Sequence, residues 1–128
     1  MNTVSFPEIT MAFAAIFGLL HIAFSLRVGG YRFKTGVSLG DGGLDVLLKR
    51  IRAHANFTEN VPIGLVLILL TELAGLSSTF VVALASVFLL ARVAHYFSIV
   101  MSLPFLIRPL GMIGTLGVIG TASVLLLL

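Results

Sequence analysis

The sequence predicts an all-α integral membrane protein, a four-helix bundle, and three observations predict it. Of 128 residues, 59% are hydrophobic and only 10% are charged, where a soluble domain carries about a quarter. Mean hydropathy is +1.16. Long uncharged stretches recur, and the length holds roughly four spans of about 20 residues each. No room is left for a sizeable soluble lobe, so residues 1–128 are expected to form a single transmembrane domain.

The first helix is placed at about 7–27. Ile9 to Leu26 has no formal charge, and Arg27, Gly29 and Gly30 follow as a stop signal. Glu8 and the lack of a basic residue before this segment argue against a cleaved signal peptide. Residues 28–44 are glycine-rich with both signs of charge and are expected to form a loop at the membrane surface. Asp45 is a candidate N-cap for a second helix over about 45–74. Its polar half contains Arg52, Asn56 and Glu59; its apolar half runs from Val61 to Leu70, with Pro62 expected to kink it near Thr58. An uncharged turn around Gly75 leads to a third helix at about 79–101, which Pro104 ends. The fourth helix, at about 105–127, carries Arg108 in its first turn, and Gly111, Gly114, Gly117 and Gly120 allow close helix contact.

On this layout all eight basic residues fall at one end. The positive-inside rule makes that end cytoplasmic and puts both termini on the non-cytoplasmic side. The pI near 10.0 is thus read as topology, with no nucleic-acid partner. Cysteine is absent, which excludes disulfides, thiolate metal sites and a cysteine nucleophile. No metal site is expected, because His54 and His95 have no third ligand at suitable spacing. His21, alone in the first helix, is read as an interhelical hydrogen-bonding residue. The Asn56-Phe57-Thr58 sequon carries no meaning on a cytoplasmic-side helix.

The antiparallel order of helices two, three and four brings their polar halves to one depth. At 100° per residue, Arg52, Asn56 and Glu59 share an arc of about 60°. Arg92 and Tyr96 lie one turn apart with His95 beside them, and Arg108 joins from the fourth helix. Charges in apolar spans cost roughly 2.5 to 3.5 kcal/mol each and mark sites facing a bundle interior or cavity. Arginines grip carboxylates and a glutamate suits an ammonium group, so the layer reads as a receptor for an anionic, amphoteric small molecule. Glutathione, with two carboxylates, an ammonium and a thiol, has this chemistry. A guanidinium beside the thiol favours its nucleophilic thiolate.

Gly40-Asp41-Gly42-Gly43, followed by Arg52-Ala-His54-Ala-Asn56-Phe57-Thr58-Glu59-Asn60-Val61-Pro62, resembles the signature of the MAPEG family, membrane-associated proteins in eicosanoid and glutathione metabolism, in its bacterial branch. The resemblance extends to Arg92-Val93-Ala94-His95 and to Arg108. Asn60 and Ile99 depart from residues found in several eukaryotic members. The resemblance implies a homotrimer in the inner membrane, multi-pass, with glutathione as co-substrate between subunits near the cytoplasmic face. Carried over, Arg108 would be catalytic and would activate the thiol. Arg52, Asn56, Glu59, Arg92 and His95 would bind glutathione, with Tyr96 adjacent and Arg27 a weaker match. The implied activity is that of a glutathione S-transferase acting on lipophilic electrophiles, or a glutathione peroxidase acting on lipid hydroperoxides, each drawn from membrane lipid. The alternatives are a small four-helix multidrug or metabolite transporter, and a catalytically inactive glutathione- or lipid-binding membrane protein.

Overall fold

Helix lengths in the computed structural model, which describes residues 6–128, set where each helix meets the membrane surface. Four helices follow in order: α1 (Glu8–Thr35), α2 (Asp45–Leu73), α3 (Ser78–Val100) and α4 (Ile107–Leu127). All four are long and apolar enough to cross a membrane. At 1.5 Å per residue, the 21 residues of α4 span about 32 Å, close to a hydrocarbon core of about 30 Å. The 28 and 29 residues of α1 and α2 exceed it by about 12 to 14 Å. The surplus projects at the end where the basic residues cluster.

That surplus corrects the expected first boundary. In place of a loop from residue 28, α1 continues through Gly29 and Gly30 to Thr35. Helical glycine costs about 1 kcal/mol against alanine, and contacts from outside the helix override it. The Arg50 guanidinium of α2 lies 4.6 Å from the centre of the Tyr31 ring and donates to the Arg27 carbonyl at 2.9 Å. Arg32 donates to the Gly40 carbonyl at 2.7 Å, folding the shortened connection back on the helix. Gly36, at φ +72°, ends α1 in the left-handed conformation that glycine adopts without strain. The expected cap of α2 is also corrected: Leu44 occupies the N-cap position, and Asp45 is the first helical residue. The Asp45 carboxylate pairs one turn on with Lys49 at 2.6 Å, and Asp41 instead accepts from the Gly43 N–H at 2.9 Å.

Across the bundle α2 is central, packing against α1, α3 and α4, whereas α1 and α4 share no interface among the described residues. The core is an aromatic ladder. Phe17 and Phe24 of α1, Phe57 of α2, and Phe88 and Tyr96 of α3 are all buried. Tyr96 stacks on Phe24 with ring centres 3.5 Å apart, and Phe57 meets Phe24 edge-on at 5.0 Å. Two glycines allow the helices to close on this core. A Cβ on Gly64 would stand 2.0 Å from the Phe88 ring, and one on Gly111 would stand 2.9 Å from the Ala91 carbonyl oxygen. Gly117 and Gly120 meet nothing within 4 Å, so of the four glycines of α4 only Gly111 and Gly114 serve a close approach to α3.

The opposite end is closed by one carboxylate. Glu72, in the last turn of α2, accepts from the Ile9 N–H at 2.9 Å and the Thr10 N–H at 2.7 Å. The Thr10 hydroxyl donates to the same carboxylate. The first N–H groups of a helix have no partners within it and carry partial positive charge, so Glu72 satisfies α1 across the bundle. Ser77 caps α3 beside it, accepting from the Phe80 N–H at 3.4 Å.

Candidate functional site

At the basic end the central feature is Arg92, 1% exposed in the middle of the α2–α3–α4 contact. Its Nε donates to the Thr115 hydroxyl at 2.6 Å and one terminal nitrogen donates to the Asn56 side-chain oxygen at 2.7 Å. The other terminal nitrogen lies 3.7 Å from the Met112 sulfur. The Thr115 hydroxyl donates a hydrogen bond to the Gly111 carbonyl at 2.9 Å, which leaves its lone pairs for Arg92. Neutral acceptors therefore hold this guanidinium. Among the described residues the one ion pair is Lys49–Asp45, and no carboxylate reaches Arg92.

Asn56 and His95 continue from this pair into a groove of about 520 Å³ that Arg108, Pro109 and Met112 also line. Local structure sets each side chain. Asn56 immediately precedes the buried Phe57 in the middle of α2, and Arg108 is the second residue of α4. His95 is buried where Gly111 lets α4 approach, a glycine Cβ there falling 2.9 Å from the His95 Cβ. Apolar side chains, Ile113 and Leu116, complete the groove toward the middle of α4. One cationic side chain at a groove mouth, a second buried behind it and an apolar flank together suit an anionic head on a molecule that meets lipophilic partners.

The structure thus brings together Asn56, Arg92, His95 and Arg108 of the sequence-predicted residues. Arg52 and Glu59 lie exposed on α2, outside the groove. Arg27 is exposed on α1, where its backbone accepts from Arg50. Tyr96 faces α1 through its stack on Phe24 and does not line this groove. Thr115 and Met112 escaped the sequence reading. Their signal was present in the spacing, since Arg108, Met112 and Thr115 stand four and three residues apart and so share one face of α4. Among the described residues no group of three or more His, Asp or Glu side chains could hold a metal ion. His21 meets His54 with ring centres 5.1 Å apart, but the hydrogen bond across this α1–α2 contact joins His54 to Ser25 at 3.1 Å, so Ser25 makes the interhelical bond expected of His21.

The sequence matches the MAPEG family over residues 10–128. The chain belongs to the MAPEG family. It is also 37% identical over 90 residues to the inner membrane protein YecN of Escherichia coli strain K12, covering 70% of this chain and 68% of that relative. YecN of E. coli O6:H1 strain CFT073 matches to the same extent. The MAPEG match spans the whole of α2, α3 and α4 and all but the start of α1, so it includes every residue of the groove.

Proposed function

We propose that this protein is a membrane-embedded, glutathione-dependent enzyme of the inner membrane, a transferase toward lipophilic electrophiles with a peroxidase activity toward lipid hydroperoxides. The observation that carries the reading is Arg92, a buried guanidinium without a carboxylate, behind a groove whose mouth holds Arg108. A charge desolvated in this way is costly to the fold, and ionisable groups within membrane spans mark functional sites by default. MAPEG membership supports the reading, and the name of the bacterial relatives, inner membrane protein YecN, supports the membrane it is placed in.

Glutathione would enter as co-substrate. Asn56, His95 and Arg108 line the groove and would meet it first, and Arg92 would orient Asn56 and add its field from behind. Arg52 and Glu59, exposed on α2, would complete the site where a second subunit packs, as would Arg27 from α1; this is the homotrimer of the proposal. The basic end would face the cytoplasm, where glutathione is abundant, by the positive-inside rule.

Arg108 would act on the thiol. A nearby guanidinium favours the thiolate, releasing the thiol proton to solvent. The thiolate sulfur then forms a bond to the electrophilic carbon, and the leaving group departs with its electron pair. In the peroxidase reaction two glutathione molecules are oxidised to the disulfide while the hydroperoxide is reduced to an alcohol and water. Calorimetry of glutathione against the protein in nanodiscs tests the binding half. Saturable binding that Asn56→Ala weakens by about tenfold supports the proposal. Absence of heat at millimolar glutathione would overturn it.

A further inference from the structure

Arg108 lines a second groove, of about 410 Å³, together with Lys49 of α2, Ser98 at the end of α3, and Ser102 and Phe105 of the α3–α4 connection. We propose that this groove binds the phosphate head of an anionic amphiphile, with Lys49, Arg108 and the Ser102 hydroxyl as donors. The proposal needs Arg108 only as a cation and holds whether or not glutathione occupies the neighbouring groove.

No acidic residue lines the groove. Lys49 is engaged by Asp45 at 2.6 Å, but that carboxylate side chain is 71% exposed, and an exposed one-turn pair is weak. An ammonium group has three N–H donors, so Lys49 keeps donors for a ligand. Ser98 is different: its hydroxyl donates to the His95 carbonyl at 2.7 Å, which removes it from the donor set. A phosphate monoester carries about −1.5 to −2 charge with three acceptor oxygens, matching two cations and a hydroxyl. Because α4 begins at Ile107, the positive end of its dipole adds to them.

Ser102 is the second observation. Among the described residues it alone has positive φ without being glycine, at φ +50°. The Met101 N–H bonds to the Phe97 carbonyl at 2.9 Å and the Leu103 N–H to the Ser98 carbonyl at 3.2 Å. These bonds close a helix end at which glycine is the favoured residue. A side chain stands there against steric preference, and it brings a hydroxyl to the groove. Departures of this kind concentrate at binding sites. The remaining wall favours an amphiphile over a free ion: Ile99 and Leu103 are apolar, and Phe105 is 82% exposed beside them.

The test is fluorescence anisotropy of a labelled short-chain phosphatidate against the full-length protein in detergent, without glutathione. Saturable binding is expected, displaced by unlabelled phosphatidate and at least about tenfold less well by inorganic phosphate or phosphatidylcholine. Lys49→Gln should weaken binding about tenfold, Lys49→Arg should restore it, and His21→Ala on α1 should leave it unchanged. Ser102→Gly separates function from structure, because it should raise the melting temperature by relieving the backbone while weakening phosphatidate. Unaltered affinity in Lys49→Gln and Ser102→Gly would overturn the proposal. So would equal displacement by inorganic phosphate, which marks a free-anion site, or by phosphatidylcholine, which marks an unselective lipid surface.

Discussion

The two ends of the bundle treat charge in opposite ways. At the Glu72 end, one carboxylate meets the first N–H groups of α1 and the Thr10 hydroxyl, and the α2–α3 turn closes tightly at Gly75, φ +84°. At the other end, Arg92 is buried with only neutral acceptors, and Arg108 lines two open grooves. Helix-end polarity is met by a carboxylate of the chain at the first end, while at the second no carboxylate meets Arg92 and Arg108 stands exposed at the grooves. The first arrangement ties α1 to α2; under the proposed function the second is kept for the ligand it would bind.

This contrast can be broken most sharply at Arg108. If it stabilises developing thiolate charge, Arg108→Ala should lower turnover with a lipophilic electrophile by about 100-fold or more, the usual cost of losing a charge-stabilising donor. Glutathione affinity should change much less. Steady-state rates beside calorimetry check both. Loss of affinity in proportion to turnover would make Arg108 a binding group only.

At the closed end the effect should fall on stability. Glu72→Ala leaves the first N–H groups of α1 without their partner, at an expected cost of about 2 kcal/mol. Thermal unfolding in detergent reads it, and glutathione affinity should hold. Arg92→Met is the converse: it removes a buried cation that no carboxylate pairs, and the desolvation relieved offsets the hydrogen bonds lost to Thr115 and Asn56. The melting temperature should stay or rise while glutathione affinity falls about tenfold. A large loss of stability in Arg92→Met would show that the guanidinium is structural. The smallest effect belongs to Asp45→Asn, which breaks an exposed pair and should change stability by less than about 0.5 kcal/mol.

Much of this architecture was legible in the residue pattern, because hydropathy over long stretches is a property of the chain itself. The spans, the Pro104 break and Arg108 in the first turn of α4 follow from it. The extension of α1 to Thr35 did not, since two glycines read locally as a stop and the contacts that override them come from Arg50 on another helix. Within the site, helical spacing placed Arg52, Asn56 and Glu59 on one face, and of these only Asn56 lines the groove, while Arg52 and Glu59 lie exposed on α2. Periodicity gives direction around a helix but not what packs against it. Tyr96 shows the same limit, because its neighbour Phe24 lies far away in sequence and only the fold brings the rings together.

Glutathione titration with thiolate absorbance in the ultraviolet as readout tests the central claim most directly, since it measures binding and thiol activation in one experiment. The basic-end groove predicts a saturable thiolate signal near neutral pH, lost in Arg108→Ala while calorimetric binding persists. Glutathione that binds with no thiolate signal, or does not bind at all, would contradict it.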